Sequence, residues 1–172
     1  MNSLLFYVWS LIFFSDIYGV SVPGINSTDT IHFSDFAGKK ILIVNTASNS
    51  AFVGQYARLE QLYQQEKDSL VIVAVPTNDF GHEPGDEQAI QYLVQNTYHI
   101  HYLVAAKTSV KGDGQCGLYK WLTHHSESGA MNSTVDYDFQ KYLIGPDGHL
   151  IGYFTGAMDP LDSTLVNAIH GQ

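Results

Sequence analysis

Two short, continuous apolar runs limit what this chain can fold into more than any other feature of its sequence. Residues 41–46 (ILIVNT) and 70–75 (LVIVAV) lack the alternation of apolar and polar residues that marks a strand with one solvated face. Such strands are buried on both faces of a sheet, so helices must cover them. Between them, Tyr56, Leu59 and Leu62 recur at helical spacing within residues 55–66. The sequence therefore predicts a strand–helix–strand unit at the centre of an α/β fold.

Turn residues and shorter apolar patterns predict the remaining elements. We expect an edge strand at 31–33, helices at 86–98 and 115–124, strands at 101–106, 139–144 and 150–154, and a last helix from Pro160 to about Ile169. The turn Pro146-Asp147-Gly148 predicts a tight hairpin between the last two strands. This order is that of the thioredoxin fold, in which helices flank a central mixed β-sheet on both faces.

Length and composition indicate one globular domain. The chain has 172 residues, of which 45% are hydrophobic and 15% are charged. Its net charge of −9 disfavours binding to nucleic acid and to anionic membranes, because both require a basic surface. No pattern in the sequence indicates a cofactor or a metal-ligand set, and the oligomeric state is left open.

The N-terminal segment differs from the rest of the chain. Residues 4–14 (LLFYVWSLIFF) form an apolar run too short to cross a bilayer but typical of a signal peptide, although no Lys or Arg precedes it. Gly19 and Ser21 are small residues suited to cleavage after Ser21. We therefore predict a signal peptide at 1–21, a single domain at 22–172, and export to the periplasm or medium with no membrane attachment after cleavage. The sequons at Asn26 and Asn132 are interpreted as chance matches.

Five blocks of the sequence resemble the glutathione peroxidase family, in the family's order. Residues 44–52 (VNTASNSAF) are similar to the family segment Val-Asn-x-Ala-Ser-x-Cys-Gly-Phe. Residues 55–63 resemble the first family helix, and 75–85 (VPTNDFGHEPG) resemble the family loop Phe-Pro-x-Asn-Gln-Phe-Gly…Gln-Glu-Pro-Gly, one residue shorter. Residues 118–122 (LYKWL) and 137–143 (YDFQKYL) complete the series. The resemblance implies the thioredoxin-like fold, thiol-dependent reduction of hydroperoxides, and hydroperoxide with glutathione or thioredoxin as partners.

The same resemblance implies that every family catalytic position is substituted in this chain. Ser50 stands at the position of the peroxidatic cysteine or selenocysteine. Asp79, Tyr137 and Asp138 stand at the positions of the glutamine, tryptophan and asparagine. Because two carboxylates replace neutral donors, we expect them to oppose an anion at position 50. The Ser50→Cys variant is therefore expected to recover little peroxidase activity.

A serine cannot perform the family reaction by the same chemistry. Peroxide reduction requires a polarizable thiolate or selenolate that can be oxidised and then reduced by a thiol. Ser50 could instead attack an acyl or phosphoryl group, provided that a base removed its proton. Asp79 is the nearest candidate base by resemblance, and without a histidine it is a poor one. We therefore interpret Ser50 as a small polar residue that hydrogen-bonds to nearby backbone.

Three hypotheses for the function remain open from the sequence. The first is an exported peroxidase homologue that is degenerate, weakly active or inactive. The second is a residual thiol peroxidase that uses Cys116, the single cysteine, which is predicted to lie at a helix N-terminus but is more often a half-buried hydrophobe. The third is a module that binds a small cation or amine through Asp79 and Asp138.

Overall fold

The computed structural model of the protein describes residues 15–124, 128 and 132–172. In this part of the chain the strands are β1 (Ser21–Pro23), β2 (Thr30–His32), β3 (Lys40–Thr46), β4 (Leu70–Pro76), β5 (Leu103–Val104), β6 (Lys141–Ile144) and β7 (Leu150–Phe154). The helices are α1 (Gln55–Glu66), α2 (Glu87–Tyr92), α3 (Gly117–Thr123) and α4 (Ser163–His170). The apolar run at 4–14 lies outside the described residues, so the signal peptide stays a prediction.

Five strands form one mixed sheet in the order β5-β4-β3-β6-β7. The central strand β3 pairs in parallel with β4, which pairs in parallel with β5. On its other side β3 pairs antiparallel with β6, and β6 pairs antiparallel with β7 through the predicted hairpin. Gly148 in the hairpin turn has φ 82°, a conformation that glycine adopts without steric cost. The central mixed sheet expected from the sequence is confirmed.

Side chains of the central strand point alternately into two hydrophobic clusters, one on each face of the sheet. In β3, Ile41 and Ile43 belong to one cluster, whereas Leu42 and Val44 belong to the other. Helices α1, α2 and α4 contribute to the cluster of Leu42 and Val44, and α3 contributes to the opposite one. Helices therefore flank both faces, as the thioredoxin-like fold requires.

The segment that precedes β1 is part of this packing. Ile17 is fully buried in the same cluster as α3, and its N–H donates to the carbonyl oxygen of Gly148 at 3.0 Å. The indole Nε1 of Trp121 donates to the carbonyl oxygen of Ser15 at 3.0 Å. Cleavage after Ser21, as the sequence predicts, would remove both contacts from the domain.

The helices agree with the sequence except at their ends. Helix α1 has the predicted bounds, and α2 continues from its cap Asp86 into a π-helical turn at Leu93–Thr97. The prediction placed the start of α3 too early, because the backbone of Cys116 is extended, with ψ 161°. Helix α4 begins after the predicted Pro160, because the Asp162 side chain caps it. None of the described helices is long and apolar enough to span a bilayer.

Strands β1 and β2 form a separate two-stranded sheet, and the departures from prediction concern this sheet and strands β5 and β6. Strand β2 lies within one residue of its predicted position, but its antiparallel partner β1 was not predicted. Strand β5 is shorter than the predicted 101–106. The prediction began β6 at residue 139, yet Phe139 has φ 60°, which is incompatible with a strand, so β6 starts at Lys141.

Candidate functional site

Ser50 lies in the turn that connects the end of β3 with α1. Its side chain is almost fully buried, with 3% of the residue exposed. The Ser50 hydroxyl oxygen accepts a hydrogen bond from the N–H of Phe52 at 3.2 Å, and the Ser50 carbonyl accepts from Val53 N–H at 3.1 Å. The structure thus agrees with the interpretation of Ser50 as a polar residue that caps local backbone.

Asp79 follows β4 and is held by a neighbouring loop. One of its carboxylate oxygens, Oδ2, accepts hydrogen bonds from the N–H groups of Val110 at 2.6 Å and Lys111 at 3.1 Å. The hydroxyl of Ser109 donates to the same oxygen at 3.0 Å. Asp79 therefore anchors the loop that leads into α3, a function that the resemblance to the family did not predict.

Asp138 is paired with a histidine that the sequence analysis did not select. The residue is fully buried, and its Oδ2 lies 2.6 Å from Nδ1 of His82. With the carboxylate ionised, Nδ1 of the imidazole donates to it, which leaves Nε2 as the free ring nitrogen. The His82 side chain is partly buried, with 32% of it exposed.

The two carboxylates are consequently held by different groups. Asp79 binds the backbone of the loop before α3, whereas Asp138 binds His82, and they share no partner among the described residues. The cation or amine site that was expected between them is therefore not favoured. Neither is a solvated loop carboxylate, because Asp138 is buried and Asp79 is half-buried. Among the described residues, no group of three or more His, Cys, Asp or Glu side chains could hold a metal ion.

Several aromatic rings contact Tyr137, the residue that precedes Asp138. The Tyr137 ring lies edge-on to Phe52, with centroids 5.7 Å apart, and contacts Phe80 at 5.8 Å and His82 at 5.4 Å. Tyr137 is 36% exposed, and Lys111 Nζ lies 3.9 Å from the centroid of the Phe80 ring. Tyr137 therefore packs among aromatic rings, and the ammonium group of Lys111 lies over one of them.

A buried glutamate joins the loop after β4 to the turn after β3. The carboxylate of Glu83 accepts from both the N–H and the hydroxyl of Ser48 at 2.7 Å. Its own N–H donates to the Asn78 side chain at 2.9 Å, and Lys107 Nζ donates to its carbonyl at 2.8 Å. Glu83 therefore fixes the position of the loop that contains His82.

The protein interior beneath the site is polar. The carboxylate oxygen Oδ1 of Asp138 and the amide oxygen of Asn45 are buried and have no hydrogen-bond partner within the described residues. Burial raises the pKa of the Tyr56 hydroxyl, and the negative charges of Glu83 and Asp138 raise it further. The phenol of Tyr56 is therefore protonated at neutral pH.

Lys141 and Gly156 contact the segment that contains Asp138. Lys141 is fully buried, and its Nζ donates to the carbonyl oxygens of Phe139 at 2.7 Å and Gly156 at 3.4 Å. Gln55 Nε2 also donates to the Gly156 carbonyl, at 2.7 Å. The backbone of Gly156 approaches Asp138 so closely that a side-chain carbon at 156 would overlap the Asp138 carbonyl oxygen.

Cys116 precedes α3 and lies on the other face of the sheet from Phe52. It is partly buried against the cluster that contains Trp121, whereas Phe52, next to the Ser50 turn, packs against the opposite cluster. The N–H of Cys116 donates to the carbonyl of Ser109 at 3.0 Å. The thiol lines an apolar cavity of about 230 Å³ between β1 and the start of α3.

Known structures place this fold among thioredoxin-like proteins. The crystal structure of Trgpx in its apo form is 30% identical in sequence and superposes with a TM-score of 0.69, covering 91% of this chain and 97% of that one. A thiol:disulfide interchange protein of the thioredoxin family from Chlorobium tepidum superposes with a TM-score of 0.63 at 12% identity, covering 87% and 92%. The second likeness concerns the fold alone.

Sequence comparison narrows this class to one family. The sequence profile described as glutathione peroxidase matches residues 17–123. A glutathione peroxidase-like peroxiredoxin of Chlamydomonas reinhardtii is 35% identical over 147 residues, which covers 84% of this chain and 90% of the relative. A glutathione peroxidase of Lactococcus lactis is 33% identical over 149 residues, covering 86% and 92%. The chain belongs to the glutathione peroxidase family.

Proposed function

We propose that this chain is a glutathione peroxidase homologue whose peroxidatic centre is catalytically impaired. The burial and hydrogen bonding of Ser50 support this proposal. Ser50 is the residue predicted to replace the family's cysteine or selenocysteine. Its hydroxyl is buried and bound by Phe52 N–H, and an alcohol has no oxidation cycle that a thiol could reverse. The predicted replacements for the family's donors also have other partners, since Asp79 binds the loop before α3 and Asp138 binds His82.

A hydroperoxide assay on the purified full chain tests this proposal. Consumption of hydrogen peroxide and of an organic hydroperoxide is measured with glutathione and then with reduced thioredoxin as the electron donor. We expect a rate at the background level, unchanged in the Ser50→Ala variant. The Lactococcus lactis glutathione peroxidase serves as the positive control.

The Cys116→Ser variant separates the remaining explanations of any turnover. Rapid consumption that persists in this variant would contradict the chemical argument, since Cys116 carries the single thiol of the chain. Turnover that disappears with the thiol would assign a residual thiol peroxidase activity to Cys116 and would also contradict the proposal.

Partners and location follow from the same family membership. We propose hydroperoxide and a thiol reductant, glutathione or thioredoxin, as the ligands to test for binding without turnover. Export is proposed from the N-terminal apolar run at 4–14. Fractionation of the source cells, with detection of the protein by antibody, tests the location; recovery of the whole pool from the cytosol contradicts export.

A further inference from the structure

The His82–Asp138 pair has the arrangement of the base and its orienting acid in serine hydrolases. Asp138 is fully buried, and its Oδ2 lies 2.6 Å from Nδ1 of the imidazole. A buried carboxylate on Nδ1 fixes the tautomer in which Nε2 accepts a proton, and it stabilises the imidazolium that then forms. The sequence argument against a hydrolase was the lack of a histidine beside Ser50, and His82 removes that objection.

The turn that contains Ser50 is hydrogen-bonded to the loop that contains His82. The N–H of Asn49 donates to the carbonyl oxygen of His82 at 2.9 Å, so the Ser50 turn and the histidine loop are hydrogen-bonded one residue away from the hydroxyl. The ring of Tyr137 contacts both His82 and Phe52, which flank the same space. In this structure the Ser50 hydroxyl accepts from Phe52 N–H and makes no bond to His82. Attack on a substrate requires that the Ser50 hydroxyl come within hydrogen-bond reach of Nε2 of His82.

Backbone N–H groups at this turn can stabilise a developing oxyanion. Ser50 lies in the connection between a central strand and a helix, although the chain has no Gly-x-Ser-x-Gly elbow of the α/β-hydrolase type. The N–H of Ala51, the next residue, donates to no group within the described part of the chain, and Ala51 is exposed. In hydrolases the residue after the nucleophile supplies one oxyanion donor, so Ala51 is in the corresponding place.

We propose that Ser50, His82 and Asp138 form a hydrolytic site for small, uncharged esters. The Ser50 oxygen attacks the carbonyl carbon while its proton moves to Nε2 of His82, and the ester C–O bond then breaks as His82 returns the proton to the leaving alcohol. Water hydrolyses the acyl-serine by the same route, giving the carboxylic acid and free Ser50. The rings of Phe52 and Tyr137, which contact each other, favour a small apolar acyl group.

Hydrolysis of 4-nitrophenyl acetate by the purified full chain tests this inference. The assay uses a different substrate from the hydroperoxide assay, so the two proposals can fail independently. Release of 4-nitrophenolate is followed optically, and the acetylated residue is located by mass spectrometry. We expect acetyl on Ser50 and a rate at least about tenfold above that of Ser50→Ala. A rate equal to that of Ser50→Ala, or acetyl found only on other residues, overturns the proposal.

Variants of the pair test their separate functions. His82→Gln should lower the rate by about tenfold or more, because the base is lost. Asp138→Asn should lower kcat with little change in KM, since Asp138 positions the histidine and does not contact substrate. Exposed residues of the same types provide the controls Ser34→Ala, His149→Gln and Asp113→Asn, which should keep the full rate. Unchanged activity in His82→Gln, which alters a partly exposed side chain, would also overturn the proposal.

Discussion

Asp79 and Asp138 show how two carboxylates from one predicted site acquire separate tasks. The sequence suggested that both would place negative charge beside residue 50. In the structure three donors satisfy Asp79, and His82 pairs with Asp138. Because both carboxylates have partners, they should repel an anion at residue 50 less than the sequence suggested. Poor recovery of peroxidase activity in Ser50→Cys stays a prediction.

Replacing Asp79 should loosen the loop that precedes α3. The Asp79→Ala variant loses three hydrogen bonds and leaves the N–H groups of Val110 and Lys111 without their acceptor. We expect the free energy of unfolding to fall by about 1–3 kcal/mol. Urea denaturation checks this value, and Asp113→Ala, at an exposed position nearby, should stay within about 0.5 kcal/mol of the parent. Equal stability of the two variants would show that Asp79 has no anchoring function.

Single residues of the site were only partly predictable from the sequence. The resemblance selected Asp138 and Tyr137, and the structure places both beside the same histidine. His82 was not selected, because its partner is 56 residues away in the chain and no local pattern links them. Contacts of this kind depend on the packing of loops at the strand ends, which periodicity does not encode.

At the scale of secondary structure, β6 contains a charge in an apolar layer. Burial lowers the pKa of Lys141 to about 7, and the negative charge of Asp159 partly opposes this decrease. Lys141 lies two residues before Leu143 in β6, so their side chains lie on the same face of the sheet. Leu143 belongs to the buried cluster on the side of α1 and α4. The lysine therefore destabilises the fold when protonated, while its hydrogen bonds hold the backbone around Asp138.

The stability of the protein should rise with pH above neutrality because of this lysine. Between the folded pKa of about 7 and the ordinary value of 10.5, the unfolded chain binds a proton that the folded chain does not. Unfolding free energy should increase by up to about 1.4 kcal/mol per pH unit there, and should not change through this group below pH of about 6.

Urea denaturation at several pH values up to about 9, below the range of tyrosine ionisation, measures the effect. Subtracting the curve of Lys141→Met isolates the contribution of this residue, and Lys39→Met, at an exposed lysine, should keep the parental pH dependence. If the curves of the parent and Lys141→Met run parallel, Lys141 keeps an ordinary pKa.

Element types were easier to predict from the sequence than element ends. Helix α1 and strand β4 follow directly from apolar spacing and a buried run, because both are long and periodic. The start of α4 depends instead on Asp162, whose side chain accepts from Thr164 N–H at 2.8 Å and caps the helix. Strand β6 is shortened by the positive φ of Phe139, which its residue type does not announce.

At the scale of the whole molecule, the segment before β1 helps to close one face of the sheet. Ile17 lies in the cluster shared by α3 and the central strands, and the family profile also begins at residue 17. The predicted cleavage after Ser21 would therefore take buried apolar surface away from the domain. A mature chain that starts at residue 22 is expected to be less stable than one that starts at residue 15.

The variant Ile17→Ala tests this contribution without truncation. Because the side chain is fully buried, we expect a loss of about 2–5 kcal/mol in the free energy of unfolding. Ile151→Ala, at a half-exposed isoleucine on β7, should cost far less. Similar losses for both variants would place Ile17 outside the cooperative core, and cleavage after Ser21 would then be harmless to the fold.

The contact between Gly156 and Asp138 limits how this protein can diverge. Since even a methyl group at 156 would occupy the space of the Asp138 carbonyl oxygen, any descendant that retains this backbone path must retain glycine there. The neighbouring Tyr137 has no such restriction, because its side chain is partly exposed to solvent. Tyr137 can thus be exchanged without moving the backbone, whereas any larger residue at 156 would have to displace the chain at Asp138.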